Sequence, residues 1–315
     1  MTDVSVIIVN YNTREHLLKC LESVQLQDKK ISGNIYIIDN GSADGSVEAV
    51  KQRYPAINII RNEHNTGFAH AVNQGLKQAA KHKYHLIVNT DVVLADDYLK
   101  KLSDFMDSYP GVGIVTGQLL DEDGSIQSSY DNIPTFASEL LGKSLNRIMM
   151  PLKKKPQDNY FEVESVIGAA MMVRQKAIEE VGLLDEFFFL FLEETDWCQR
   201  MTQKKWQVGF LPGAEALHLQ GQTKKMILMP AKIEYLNSMY KFMLKQYPIP
   251  AYWLFRLLKP IRIFIGLLLN LVLCVLTLCL VSRFRRTVAV SSVITFWHLK
   301  LCPENMTLGY ISKNR

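Results

Sequence analysis

"VSVIIVNYNTREHLLKCLESVQ", residues 4–25, begins with a short apolar run rich in β-branched residues, ends that run on Asn10, Tyr11 and Asn12, and continues with apolar residues at helical spacing. This is a strand followed by a helix. The unit recurs down the chain: "IYIID" precedes a helical pattern over 44–53, "INII" one over 66–80, "YHLIVN" one over 96–108, and "VGIVT" closes the series at 116. Such alternation predicts an α/β fold, a mostly parallel sheet with helices on both faces. Ligands of these sheets bind past the carboxyl ends of the strands. Those ends read "NYN" at 10–12, "DNGSADGS" at 39–46, "NEHNTGF" at 62–68 and "NTD" at 89–91, all polar and rich in Asn or Gly, as expected of one ligand-facing rim.

The chain has 315 residues, 48% hydrophobic and 21% charged, enough for one large core or a core with a small appendage. With 36 basic and 31 acidic residues the excess of +5 is mild. It points to a basic C-terminal region facing anionic lipid and not to a nucleic-acid surface. Five cysteines, Cys20, Cys198, Cys274, Cys279 and Cys302, are scattered without close metal-ligand pairs, which suggests reduced thiols in a cytosolic setting and no zinc site. The N-terminus lacks a basic n-region and reads as a first strand, not a signal peptide.

The alternation lapses over 118–165, where "DEDG" and "NIP" signal turns and the basic loop "PLKKKPQDN" reads as exposed. Order resumes with the strand-like "VIGAAMMVR" and the helix-like "QKAIEEVG". Composition turns apolar near 249, and residues 263–281 carry no charge over nineteen positions, enough to cross a hydrocarbon core of roughly 30 Å. Cations flank the run on both sides, "FRLLKPIR" before and "SRFRR" after, against the positive-inside bias for a single span. A re-entrant or interface-lying helix, with "TVAVSSVITFWH" as a second membrane-facing segment, keeps both clusters near the cytoplasmic surface. The expected division is a catalytic domain over 1–228 and a helical, membrane-associated region over 229–315.

Several positions stand out. Asp91 ends "VNTD" where Asp96 and Asp97 are better placed to cap the next helix, so it either borders the turn or holds a hard cation. Asp39 is the last strand residue of "IYIID", beyond which Ser42 or Asp44 would cap a helix. In "NTGFAHAVNQG", Thr66 is a candidate cap and Gly67 permits close backbone approach, with Asn73 further along the helix. "LFLEETDWCQR" at 190–200 places Glu193 and Glu194 at a helix start, where the dipole alone favours acids, and spaces Asp196 and Arg200 as an i,i+4 ion pair. Adjacent helical residues point about 100° apart, so only one of the two glutamates can face a given ligand.

Taken together, "VSVIIVNYN", "IDNGSADGS", "NEHNTGFAHAVNQG", "LIVNTDVVL", the stretch 167–200 and "HLQGQT" resemble, from residue 4 to about 223, the family 2 inverting glycosyltransferases, and within them the rhamnosyltransferase-type enzymes of bacterial surface polysaccharides. The resemblance implies a GT-A fold binding a nucleotide diphosphate sugar across the strand ends, with Mg²⁺ or Mn²⁺. It implies donor-binding roles for Tyr11, Asn12, Asp39, Gly67 and Asn89, Tyr11 stacking on the base. Asp91 would be the metal ligand in "NTD", a DxD motif with Asn89 at its first position. His218, in "HLQGQT" with Thr223 where the pattern has Ser, would contact metal or diphosphate. The family's catalytic base falls on Glu194, a Glu where the pattern has Asp, with Glu193 the competitor. The branch favours dTDP-rhamnose, with UDP- and GDP-sugars open, and a lipid-linked glycan acceptor at the cytoplasmic face of the membrane. Two other readings share features with this chain: a nucleotidyltransferase, whose glycine-rich phosphate loop "VNYNTRE" lacks, and an inactive membrane-tethered scaffold.

Overall fold

The computed structural model describes residues 3–27, 34–141, 152–219 and 228–309. They form two units, one from residues up to 133 together with 152–224, the other from 134–151 together with the chain from 225 onward.

In the first unit, strands β1 (Val4–Asn10), β2 (Ile35–Asp39), β3 (Asn58–Arg61) and β4 (Tyr84–Asn89) alternate with helices α1 (Arg14–Gln27), α2 (Ser46–Arg53) and α3 (Phe68–Gln78). After the short β5 (Val92–Leu94) come α4 (Tyr98–Ser108), β6 (Val112–Leu120) and β7 (Tyr130–Asp131). The short strands β8 (Lys154–Pro156), β9 (Phe161–Val163) and β10 (Ser165–Val166) lead to β11 (Ala170–Arg174). The main sheet runs β3-β2-β1-β4-β11-β6-β12-β9-β8, where β12 is Gln207–His218, and β5 pairs with β12. Strands β3, β2, β1 and β4 are parallel, as are β6 and β12, and β11 lies antiparallel between β4 and β6. The order reverses at β1, which passes to β2 on one side and receives β4 on the other. A crevice therefore opens past Asn10 and Asn89, where ligands of such sheets bind.

The apolar runs of the central strands are nearly continuous because both faces are covered. Val6 and Ile8 face α1 and α4 in one core, with Leu17, Leu21, Leu102 and Met106. Ile7 and Ile87 face the other core, built by Ala71 and Val72 of α3, Ile178 of α6 (Gln175–Val181) and Trp197 of α7 (Glu193–Gln203). Capping differs from expectation. Helix α3 starts on Gly67 without a side-chain cap, because the Thr66 hydroxyl donates to Asn40 Oδ1 instead, at 3.0 Å. Ser42 Oγ likewise accepts from the Asn12 amide at 2.9 Å, and the start of α2 is bonded by Asp44, whose Oδ1 accepts from Ser46 N at 3.1 Å.

The second unit is helical: α5 (Phe136–Leu140), α8 (Leu228–Gln246), α9 (Ile249–Leu276) and α10 (Ser282–Leu299). Thr135 and Ser138 close a capping box on α5. Glu139 then pairs with the buried Lys259 of α9, Nζ to Oε2 at 2.6 Å. The run 263–281 is not one helix. Helix α9 ends at Leu276, and Leu278 and Cys279 turn the chain with φ of 48° and 56°, so "TVAVSSVITFWH" lies in the separate α10. Helix α9 is 28 residues with a mean hydropathy of 2.0 over its most apolar window, long and apolar enough to cross a membrane, and only 11% of that window is buried.

Candidate active site

The polar strand ends are sewn into one surface. Asn10 donates to Asp39 Oδ1 (2.8 Å) and Ser42 Oγ (3.0 Å), and the Ser42 amide donates to Asp39 Oδ2 (3.0 Å). Asp39 is fully buried, with the Arg61 guanidinium 3.8 Å from Oδ2. Asn40 takes hydrogen bonds from Asn62 and Thr66, which ties the end of β2 to that of β3. Beside this network a cleft of about 270 Å³ is lined by Gly41, Ser42, Arg61, Asn62 and Glu63. Tyr11 is partly exposed at its margin of the rim, and Asn12, exposed at φ 54°, accepts from the Ala43 amide at 2.8 Å. Thr13 bridges the crevice, its hydroxyl donating to Asn10 Oδ1 (2.8 Å) and accepting from the Thr90 hydroxyl (2.9 Å).

On the other side of the crevice, β4 delivers Asn89 and, two residues on, Asp91. His218, at the end of β12, brings Nε2 to 3.5 Å from Asp91 Oδ1, and the Leu219 amide donates to Asp91 O at 2.8 Å. The His218 ring is held from behind by Gln127: Nδ1 lies 3.0 Å from Gln127 Oε1, while Gln127 Nε2 donates to His218 O at 2.8 Å and also to Asp121. With the amide nitrogen committed to two oxygens, Oε1 is the acceptor and Nδ1 carries the proton. Nε2 then faces the carboxylate with its lone pair, or as N–H when the ring is charged. Two such ligands suit a hard divalent cation that takes its remaining oxygens from water and diphosphate. Among the described residues no three His, Cys, Asp or Glu side chains converge into a fuller cage. Thr223 lies outside the described residues, as does most of "HLQGQT".

The glutamates approach from α7. Two successive left-handed residues, Phe191 (φ 72°) and Leu192 (φ 67°), turn the chain into the helix. Neither is glycine, and such strain accumulates at functional sites. Glu193 is 4% exposed. Glu194 is partly exposed, packs on Gly168, where an added Cβ would stand 3.4 Å from its Cβ and Cγ, and keeps Oε2 without a hydrogen-bond partner among the described residues. Burial pushes the Glu194 carboxyl above the usual carboxylate range, and facing backbone N–H groups, among them those of Thr195 and Gly168, pull the other way. The next residue, Ala169, accepts from the Asn89 amide at 2.8 Å. The segment 168–169 is thus the seam that sets Glu194 beside the end of β4.

The loop before α7 is clamped to α3. Asn73 donates to Leu184 O (2.9 Å) and accepts from Leu184 N (3.1 Å), and the Phe68 amide donates to Phe189 O (2.7 Å). Gly67, at φ 93°, makes this possible, since a Cβ there would fall 2.7 Å from Phe189 O. The close approach that Gly67 allows is to this loop. Asp196 and Arg200 pair as expected, Nε to Oδ2 at 2.8 Å, and Arg200 further donates to Val181 O and Leu183 O. Gln127, Gly168 and the left-handed pair at Phe191 and Leu192 carry no marker in the local sequence.

A family model described as Glycosyl transferase family 2 matches residues 5–182. The chain belongs to this family. The family 2 transferase is 27% identical over 240 residues, 69% of this chain and 76% of the other, to the N-acetylglucosaminyl-diphospho-decaprenol L-rhamnosyltransferase of Mycobacterium tuberculosis. Rhamnosyltransferase WbbL of Escherichia coli (strain K12) is 21% identical over 251 residues, 77% of this chain and 93% of that one. A mannosyltransferase from Pyrobaculum calidifontis, in complex with GDP-Man and Mn²⁺, matches with a TM-score of 0.58 at 15% identity over 94% of this chain and 87% of that one. GalNAc-T7 with UDP, GalNAc and Mn²⁺ matches with a TM-score of 0.53 at 15% identity over 77% of this chain, which spans 54% of that longer one. The fold is GT-A-like, as the motif resemblance implied, and the enzyme is a glycosyltransferase, which sets aside the nucleotidyltransferase and scaffold readings.

Proposed function

We propose that this transferase moves L-rhamnose, with inversion, from dTDP-rhamnose to a hydroxyl of a lipid-linked glycan at the cytoplasmic face of a membrane, with Glu194 as base. The observation that carries this reading is the seam at 168–169, which joins a proton-accepting carboxylate to the strand end bearing Asn89 and Asp91. In an inverting transfer one base suffices: Glu194 takes the proton of the acceptor hydroxyl as its oxygen bonds to the anomeric carbon and the bond from that carbon to the diphosphate breaks. A raised carboxyl is better matched to that task near neutral pH than an ordinary one. The packing of Glu194 on Gly168, whose neighbour Ala169 bonds the Asn89 amide, favours it over Glu193.

Asp91 and His218 would hold Mg²⁺ or Mn²⁺, which when bound neutralises charge on the departing diphosphate. Asn89 would contact the ribose directly or through water. The nucleobase would stack on Tyr11 beside the Arg61 cleft, whose wall Asp39 and Asn12 brace through Ser42 and Ala43. Rhamnose is favoured by the names of two relatives, and a polyprenyl-diphosphate acceptor by that of the mycobacterial one. The test is a transfer assay pairing dTDP-rhamnose, UDP-glucose, UDP-N-acetylglucosamine and GDP-mannose with a GlcNAc-diphospho-polyprenol acceptor. Rhamnosylated lipid from dTDP-rhamnose alone is expected. Transfer from a UDP- or GDP-sugar only would overturn the donor assignment, leaving the base and metal roles to be read from their own variants.

A further inference from the structure

Helices α9 and α10 form an antiparallel hairpin. They pack along each other, and the start of α9 (Phe255, Arg256) and the end of α10 (Trp297, His298) meet the same Tyr240 ring. The outer surface of α9 is apolar and open: Leu257, Ile261, Phe264, Leu268, Val272 and Val275 are all exposed. So are Leu278 and Leu280 at the tip. No acid occurs between residues 249 and 300. Cations bracket the apolar stretch, with Arg256 and Arg262 toward the base and Arg283, Arg285 and Arg286, all exposed, one turn past the tip. Apolar surface rimmed by positive charge, opposed at the base only by Glu139 among the described residues, fits an anionic lipid surface.

How the hairpin meets lipid follows from length. From Arg262 to the end of α9 at Leu276 is about 21 Å at 1.5 Å per residue, well short of a hydrocarbon core of roughly 30 Å. Standing upright and dipping in, the hairpin would leave three arginines within the hydrocarbon. Standing upright and crossing, it would carry them to the far side, against the positive-inside bias. Lying along the interface, it keeps both clusters at headgroup level, with Thr287, Ser291 and Ser292 of α10 available to the polar side. We propose that the α9–α10 hairpin is a monotopic anchor that lies in one leaflet of an anionic membrane, its tip on the same side as its ends. This rests on the reading that the transferase works at a membrane and is independent of its donor sugar.

Cys279 at the exposed tip gives a direct probe. The full-length protein carrying Cys274→Ser and Cys302→Ser is labelled at Cys279 with a nitrobenzoxadiazole and reconstituted, N-terminus outward, in vesicles of phosphatidylcholine with phosphatidylglycerol. Externally added dithionite should bleach the label at once. Protection until detergent is added would overturn the proposal in favour of a crossing or deeply re-entrant hairpin. In parallel, the triple variant Arg283→Gln, Arg285→Gln, Arg286→Gln should partition on the order of a hundredfold more weakly onto phosphatidylglycerol-containing vesicles, and equally onto neutral ones. Unchanged partition onto both would remove the tip cations from the anchor. Absence of partition onto any vesicle by the native protein would instead overturn the membrane reading itself.

Discussion

His218 Nε2 stands 3.5 Å from Asp91 Oδ1, and Gln127, on the opposite side of the ring, decides which nitrogen faces the carboxylate. Removing a residue that fixes a ligand's tautomer weakens metal binding by about 10- to 100-fold. Gln127→Ala should therefore weaken Mn²⁺ binding by roughly tenfold or more, and His218→Ala at least as much. Electron paramagnetic resonance titration of Mn²⁺ with dTDP present reads this without turnover. Unaltered Mn²⁺ affinity in His218→Ala would take that residue out of the cation site.

Glu194 opposes activity and stability in a testable way. Its carboxyl is held above the usual range in the folded protein by burial, so the folded state binds that proton more tightly than the unfolded chain does. The stabilisation this brings is complete below the unfolded value and lost as pH rises through the folded one. Glu194→Gln should accordingly unfold at higher temperature than the native protein at pH 8, with the advantage shrinking toward pH 4. The same shift gives the native enzyme an acidic limb, its rate falling as pH drops through the raised value. A melting advantage that grew on acidification would contradict the assignment.

The clamp between α3 and the loop before α7 should be costly to break. Gly67→Ala forces a side chain into left-handed backbone against Phe189 O, and a loss of at least about 2 kcal/mol is expected in urea unfolding. Asn73→Ala strands the N–H and C=O of Leu184, at about 1–3 kcal/mol. Because the loop aims Glu194, Asn73→Ala should also lower kcat more than it raises KM. Native kcat in a destabilised Asn73→Ala protein would separate the clamp from catalysis.

Asp196→Asn removes the charge partner of Arg200 beneath the same helix. Breaking a fully buried pair costs about 3–5 kcal/mol, and since Arg200 is partly exposed and keeps two carbonyl acceptors, about 2 kcal/mol is expected. Differential scanning calorimetry measures it, with nucleotide binding retained.

The sheet was legible in the sequence because β1, β2 and β4 are buried on both faces and so read as mainly apolar runs closed by Asn and Asp, interrupted only by Ser5 and His85, which bond each other across β1 and β4. The i,i+4 pairing of Asp196 with Arg200 was legible for the same reason: helical spacing alone places them together. What escaped was long-range. Gln127 reaches His218 across 91 residues of chain, and nothing near it in sequence marks it. Thr66 looked like a cap but found Asn40, a partner that local pattern does not reveal. The break after Leu276 carries neither Gly nor Pro, so "LTLCLV" read as continuous helix where Leu278 and Cys279 turn the chain.

The account stands most directly on Glu194 as the base, and the deciding measurement is single-turnover sugar transfer by Glu194→Gln, Glu194→Asp and Glu193→Gln with donor affinity measured alongside. Glu194→Gln should lose about 10²- to 10⁴-fold in rate while binding donor normally, and Glu194→Asp should keep substantial activity. Native transfer rates in Glu194→Gln, with the loss appearing in Glu193→Gln instead, would contradict it.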